Sequence, residues 1–110
     1  MSEIRLLPVM TRGGMCHCTL PAGGVALAVA HKRIEEIWYC LSGLGEVWRK
    51  LGDDERCDKI AAGVSLTIPT GTHFQFRNTG SEALCLVIAT MPPWPGAQEA
   101  YRVPDHWPVR

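Results

Sequence analysis

The 110-residue sequence has no excess of either charge, because eleven acidic side chains balance eleven basic ones. A nucleic-acid partner favours a clustered basic surface, so this balance argues against one. It also gives no reason to expect a partner in an anionic membrane surface. The longest apolar runs, 25–30 and 84–89, are far shorter than the ~20 residues that span a bilayer. We therefore expect neither nucleic-acid nor membrane binding.

The sequence pattern also predicts neither a secretory signal nor a disulfide framework. The first ten residues contain the acidic Glu3 and the proline Pro8, and they lack the apolar core of a signal peptide. The five cysteines are odd in number and scattered, whereas a secreted disulfide scaffold normally shows an even set. We expect free thiols in a reducing, cytoplasmic protein.

No segment shows a helical period of apolar residues over three turns. Short apolar or alternating segments recur instead between corners that contain glycine and proline, at 15–20, 25–30, 36–42, 46–50, 64–68, 74–78 and 83–91. This pattern predicts an all-β sandwich or barrel. We interpret the charged segment 51–58 as a loop. Segment 4–10 is predicted to be an edge strand or its approach, because Pro8 has no N–H for a central ladder.

The length fits a single domain over residues 1–110. We place its barrel core at about 13–91 and a proline-rich tail at about 92–110, too rich in proline for regular structure. Trp94, Tyr101 and Trp107 are expected to hold this tail on the barrel or on a second subunit.

The first motif begins where an apolar segment turns into the next strand. Gly23 is followed by five residues, Val29-Ala30-His31, four residues, Glu36, six residues and Gly43. The second motif is Gly63, five residues, Pro69-Thr70-Gly71, two residues, Phe74, three residues and Asn78. Both spacings resemble those of the cupins. The chain is similar to small, single-domain members of that family, and the resemblance implies a jelly-roll barrel, also called a double-stranded β-helix.

The resemblance implies a metal site only in part. Metal-binding cupins hold Fe, Mn, Ni or Zn with two histidines and the glutamate of the first motif and the histidine of the second. Here Val29 and Phe74 occupy two of the histidine positions, and only His31 and Glu36 remain in register. Two ligands are too few for a zinc or non-haem iron site. We therefore expect no cofactor.

An alternative metal site would add His73, one place before Phe74, to His31 and Glu36. Strand alternation argues against it, because neighbouring residues of a strand point to opposite faces. Cys40, on the same face as Glu36, is a further soft ligand by type, although a buried cysteine is more often part of a core. The triplet Cys16-His17-Cys18 lacks the spacing of a zinc site. We expect its cysteines to lie in the core and its histidine on the other face.

The predicted ligand-binding residues share one property, which is that strand alternation and the motif positions direct them into the barrel. They are Val29, His31, Glu36, Trp38, Cys40, Phe74 and Phe76. Such an apolar, aromatic lumen with a polar corner is typical of a small-ligand site. His31 and Glu36 are the candidate catalytic residues, either as an acid–base pair or as a structural hydrogen bond. If paired, each would favour the charged form of the other.

Three functions follow as alternatives. The first is a small-molecule binding barrel without the usual metal, and the second is a metal-dependent isomerase or dioxygenase with His31, Glu36 and His73 as ligands. The third is a non-catalytic structural or interaction barrel. Whether the protein is an enzyme stays open at this point. The resemblance also implies a homodimer, for which the apolar residues Ile37, Tyr39 and Leu41 on the outer face offer a surface.

Overall fold

A computed structural model of the protein describes residues 2–109. These residues form ten β-strands and no helix, which confirms the all-β prediction. The strands are β1 (Glu3–Val9), β2 (Gly14–Leu20), β3 (Val29–His31), β4 (Glu35–Ser42), β5 (Leu44–Leu51), β6 (Asp54–Ala61), β7 (Ser65–Ile68), β8 (His73–Asn78), β9 (Leu84–Met91) and β10 (Ala100–Arg102). No helix within this range is long and apolar enough to cross a membrane.

The strands form two five-stranded sheets. Sheet A has the order β1-β2-β9-β4-β7, and sheet B has the order β10-β3-β8-β5-β6. All the pairings in both sheets are antiparallel. The sheets enclose a core of buried apolar side chains from both, namely Cys18, Leu20, Ala26, Trp38, Cys40, Val47, Ile60, Ile68, Phe74, Phe76, Leu84, Leu86 and Ile88. The jelly-roll prediction requires this kind of two-sheet closure around one core.

Strand β4 shows how the sequence pattern determines the two faces. Glu36, Trp38 and Cys40 are buried, whereas Ile37 and Tyr39 between them are about half exposed. The period of two follows from the pleat of a strand, in which successive side chains point to opposite sides. Because β4 lies between β9 and β7, its inward residues reach the middle of the core.

One glycine is required for the connection from β4 to β5. Gly43 has a φ of 95°, which side chains rarely permit. A Cβ at this position would lie 2.5 Å from the carbonyl oxygen of Ala83, too close for any other residue type. The bend at Gly43 carries the chain from sheet A to sheet B, so it is needed for the sandwich.

Two predicted segments differ from the observed structure. The segment 51–58 was expected to be a loop, but most of it lies in β6, which pairs with β5 along Leu44–Leu51. This strand lies at an edge of sheet B, where its charged side chains remain in water, so charge does not prevent pairing. The segment 25–30 was expected to be one strand, but only Val29–His31 is regular. Before it, Val25 makes an isolated bridge to Arg77.

The tail is more ordered than the prolines indicated. Residues Ala100–Arg102 form β10, which pairs with β3, so the expectation of an irregular tail is wrong for this part. The two sheets therefore extend outside the predicted core range 13–91, through β1 and through β10.

A buried glutamine fixes the rest of the tail. Gln75, on the outer side of β8, accepts hydrogen bonds from the backbone N–H groups of His106 (2.8 Å) and Trp107 (2.7 Å). Its amide donates to the carbonyl oxygens of Trp107 and Ala26, both at 2.9 Å. The His106 ring also stacks on Trp48 at 5.0 Å between centroids. All four hydrogen-bonding positions of this amide are filled, because it can accept two bonds and donate two.

We expect Gln75→Ala to lower the free energy of unfolding by about 2–3 kcal/mol, because it leaves backbone groups of the tail without their partner. Urea denaturation would measure the loss, and faster trypsin cleavage at Arg102 would show that the tail has been released. Gln98→Ala is the matched control, because Gln98 is exposed in the same tail. Equal stability of the two variants would contradict the role given to Gln75.

Candidate functional site

A cavity of about 350 Å³ lies between the two sheets. Its volume is near the lower end of the ~300–1,000 Å³ typical of small-ligand sites. The lining is mostly apolar and comes from strands of both sheets and from the tail, namely Ser2, Ile4, Leu6, Val9, Met15, Cys16, Cys18, His31, Glu36, Trp38, Phe74, Phe76, Ile88, Thr90 and Trp94. An apolar cavity of ~150 Å³ holds one benzene-sized molecule, so this volume has room for a ring with substituents.

Five of the seven residues that the sequence assigned to the lumen line this cavity. They are His31, Glu36, Trp38, Phe74 and Phe76. The other two do not line it. Val29 lies partly buried against the core, and Cys40 is fully buried with its thiol 3.5 Å from the carbonyl oxygen of Ser42. Cys40 is therefore core packing, as its residue type favours.

The carboxyl group of Glu36 is buried in this apolar lining. Its Oε1 accepts a hydrogen bond of 2.9 Å from the indole Nε1 of Trp38, two residues along the same face of β4. Burial raises the pKa of Glu36 to about 7, although the bond from Trp38 acts in the opposite direction. A carboxyl group in this range carries a proton in a large fraction of molecules at neutral pH, so it can donate or accept a hydrogen bond.

His31 approaches the same cavity from sheet B. Its ring makes edge contacts with Phe74 and Trp94, at 5.2 Å and 5.6 Å between centroids. The ring atom Nδ1 is buried and has no hydrogen-bond partner within residues 2–109. Burial lowers the pKa of His31, and the charge of Glu99 offsets only part of that effect. The imidazole is therefore neutral at pH 7, with an unused polar atom.

The pairing on which a mutual stabilisation of charged His31 and Glu36 depends is not among the hydrogen bonds of residues 2–109. The hydrogen bond of Glu36 goes to Trp38, and both pKa values move toward the neutral form of each group. Burial wins because removing an unpaired charge from water costs more than a distant opposite charge returns. The cavity therefore contains two largely neutral polar groups, and the carboxyl group is the one that exchanges a proton near neutral pH.

The donor atoms do not fit the metal site implied by the family. The ring of Phe74 occupies the cavity where the family has an imidazole, and it packs edge-on against Trp38 at 5.5 Å. His73 does not line the cavity. It pairs with Lys50 of β5, and strand alternation directs its side chain to the face opposite that of Phe74. Across residues 2–109, no three His, Cys, Asp or Glu side chains are arranged to hold a metal ion.

Cys16 and Cys18 line the cavity, and their part in it was missed from the sequence. Burial and, more weakly, the charge of Glu36 raise the pKa of Cys16 to about 11. Burial also raises the pKa of Cys18 to about 12. Both thiols remain protonated at neutral pH, and a protonated thiol is neither a nucleophile nor a good metal ligand. The expected alternation of the triplet could have identified them, because it placed both on one face.

The tail contributes a wall that the sequence patterns did not reveal. Trp94 lines the cavity beside His31. Further along, the buried Glu99 accepts hydrogen bonds from the backbone N–H groups of Arg33 (2.5 Å) and Ile34 (2.8 Å). Burial would raise the pKa of Glu99, but these bonds and the charge of Arg33 lower it. The tail is thus attached at Glu99, next to the turn between β3 and β4.

The chain belongs to the cupin family, because the family model described as a cupin domain matches residues 16–90. The matched range runs from β2 to β9 and contains most of the cavity lining. The predicted resemblance to cupins is therefore confirmed. No curated protein matches the sequence.

Solved structures share the fold. BH2720 from Bacillus halodurans has 20% identity and a TM-score of 0.72, over 90% of this chain and 76% of that one. KdgF from Halomonas sp. has 15% identity and a TM-score of 0.70, over 83% and 80% of the two chains. An oxalate oxidase in complex with the substrate analogue glycolate has 25% identity and a TM-score of 0.76, over 86% and 53%. The match thus spans about half of the oxidase.

We expect the stability of the protein to fall, relative to Glu36→Gln, as the pH rises from about 4.5 to about 7. In this range the unfolded chain has lost the proton of Glu36 while the folded protein still holds it, so folding becomes less favourable. The difference reaches at most ~3 kcal/mol for a pKa shift of this size. Urea denaturation of both proteins across the range measures it.

Glu35→Gln is the control for the neighbouring position, because Glu35 is exposed on the same strand. Its stability should follow that of the unaltered protein at every pH. If the difference in free energy of unfolding between Glu36→Gln and the unaltered protein does not change with pH, the Glu36 carboxyl group titrates as it does in water.

Proposed function

We propose that this cupin binds a small, uncharged, largely apolar molecule in the cavity between its sheets, without a bound metal. The molecule carries a hydrogen-bonding group that meets Glu36. The observation that carries the proposal is the buried carboxyl group of Glu36, which faces a mostly apolar cavity of about 350 Å³. A cytoplasmic location stays a prediction from the cysteines.

The polar groups of the cavity select against anions. Within residues 2–109 no lysine or arginine lines it, burial keeps the His31 imidazole neutral, and Glu36 would repel a carboxylate when ionised. An anionic ligand would lose its hydration without gaining an opposite charge, which costs several kcal/mol. The oxalate oxidase was solved with glycolate, a small acid. Despite the shared fold, the residues of this cavity favour a different class of ligand.

The aromatic walls favour a ring in the ligand. Trp38 contacts Phe74 and Phe76 edge-on, at 5.5 Å and 5.1 Å between centroids, so the three rings form a continuous wall. Edge-to-face aromatic contacts add a modest attraction beyond the burial of area. A bound ring could therefore pack against this wall while its polar substituent reaches Glu36.

The experiment compares 2-phenylethanol with phenylacetate. Phenylacetate carries a carboxylate group in the place of the CH2OH group of 2-phenylethanol. We expect the alcohol to bind with a dissociation constant in the millimolar range or tighter, and the carboxylate at least ~100-fold more weakly. Two-dimensional NMR titration or calorimetry at pH 7 measures both. Binding of the alcohol should survive treatment with EDTA, because the proposal requires no metal ion.

Cys16→Phe is the variant expected to lose binding, because its larger side chain occupies cavity volume. It leaves the polar side chains of His31 and Glu36 in place. Cys57→Phe is its control, because Cys57 is exposed on β6 away from the cavity. We expect only the first variant to lose the alcohol. If neither probe binds the unaltered protein, the barrel with a structural or interaction role becomes the better account. If the carboxylate binds as tightly as the alcohol, the charge argument fails.

We also propose that the protein is a homodimer through the outer face of sheet A. Ile37, Tyr39 and Leu41 are each about half exposed there, and Val87 and Ala89 lie between them and β2. Five strands ~4.8 Å apart, of four to eight residues each, present roughly 550 Å² in projection. A second copy of this face would cover a total area close to the ~1,000 Å² that is the lower limit for a biological interface. A two-fold axis pairs the face with itself.

Ile37→Lys should convert the dimer into a monomer, because the interface would have to desolvate an unpaired lysine charge from each copy. Light scattering after gel filtration should show the mass falling from twice the 12.1 kDa chain mass to the mass of one chain. Leu51→Lys is the control, since Leu51 has similar exposure (47% against 45%) but lies in sheet B. A monomeric unaltered protein would refute the dimer.

A further inference from the structure

Strand β1 has an apolar side that nothing within residues 2–109 covers. Ile4 and Leu6 are 52% and 73% exposed. In the register of sheet A they lie opposite Cys18 and Cys16, whose side chains line the cavity. Because paired residues in adjacent strands share a face, Ile4 and Leu6 point to the inner side of the sheet.

The pattern of β1 is that of a strand with one covered face. From Glu3 to Leu6, the polar Glu3 and Arg5 lie on the outer side and the apolar Ile4 and Leu6 on the inner side; Leu7 then follows on the outer side, and the register shifts before Val9. Such alternation is typical of a strand that packs against apolar material. β1 is an edge strand of sheet A, and its inner side extends beyond the part of the core that sheet B closes.

This side is continuous with the cavity. Ile4, Leu6 and Val9 line the same cavity as Glu36 and Trp38. We call these three residues the β1 strip. Glu36 and Trp38 are almost fully buried, whereas the strip residues are more than half exposed, so the strip forms the outer end of the cavity. From Ile4 to Val9 the strip extends for roughly 16 Å at the rise of a β-strand.

We infer that the ligand of this site is an amphipathic molecule, with its uncharged polar head at Glu36 and a hydrocarbon chain that leaves the cavity along the β1 strip. The inference rests on the proposed binding function and specifies its ligand class. The apolar chain would cover side chains that otherwise remain in water. The continuity of strip and cavity favours one ligand over two separate occupants.

The experiment uses primary alcohols from 1-butanol to 1-decanol as probes. Each added methylene that contacts apolar protein surface contributes ~0.8 kcal/mol, so affinity should increase about fourfold per carbon. We expect this increase to continue to the longest alcohols in the unaltered protein. In Ile4→Ser/Leu6→Ser the increase should stop at shorter chains, so that the loss of affinity relative to the unaltered protein grows with chain length.

Leu27→Ser is the matched control, because Leu27 is also exposed (42%) but does not line the cavity. It should leave the whole series unchanged. If 1-butanol and 2-phenylethanol both fail to bind, the proposed function itself is refuted. If short alcohols bind but affinity stops rising at the same length in all proteins, the inference about the strip is overturned.

A second copy of the chain is the other possible cover for the strip. In that case Ile4→Ser/Leu6→Ser would change the mass measured by light scattering and leave the chain-length series as in the unaltered protein. That result would also overturn the inference. An unchanged mass together with a shortened series would support it.

Discussion

The cost of burying a carboxyl group among aromatic and aliphatic side chains determines the character of this protein. Glu36 reaches the interior because strand alternation places it on the same face as Trp38, and the indole supplies its hydrogen bond. That bond satisfies one oxygen but does not restore the lost hydration, so the pKa of Glu36 rises. The cavity therefore contains a few polar groups without being strongly charged. A ligand with an uncharged hydrogen-bonding group can bond to the carboxyl group of Glu36. A ligand with a negative charge finds no positive charge in the cavity to replace its lost hydration.

The replacement of two family histidines explains why this arrangement is compatible with the cupin fold. Phe74 fills the position of one imidazole and contacts both His31 and Trp38 with its ring. Val29 is its partner across the strands β3 and β8. The strands stay in place because the fold depends on the alternation of apolar residues and on turns such as that at Gly43. The site is thus independent of the barrel that holds it, which is a general property of folds with many functions.

Much of the fold and of the cavity lining was predictable from residue spacing. The features that were not predictable depend on long-range contacts. The period of two located β4 and β8, an apolar run located β9, and strand alternation with the motif spacing placed His31, Glu36, Trp38, Phe74 and Phe76 in one lumen. The charged residues of β6 concealed a strand, because solvent exposure at an edge cannot be read from one segment alone. The roles of Gln75 and Glu99 were hidden for another reason: each bonds to backbone groups more than thirty positions away, so no local pattern announces them. The pKa directions of His31 and Glu36 could not be read from the motif, because they depend on burial and on which groups lie in contact.

The tail that is attached at Glu99 supplies Trp94 to the wall of the cavity. Trp94 and the residues of β1 form the outer wall, and both lie outside the strands that supply Glu36 and the aromatic wall. Substitutions before β2 or after β9 can therefore alter the size of molecule admitted without disturbing the inner chemistry. Sequence changes in these two segments alone could alter which ligands such barrels bind. Relatives with the same interior would then differ in the shape of the cavity entrance.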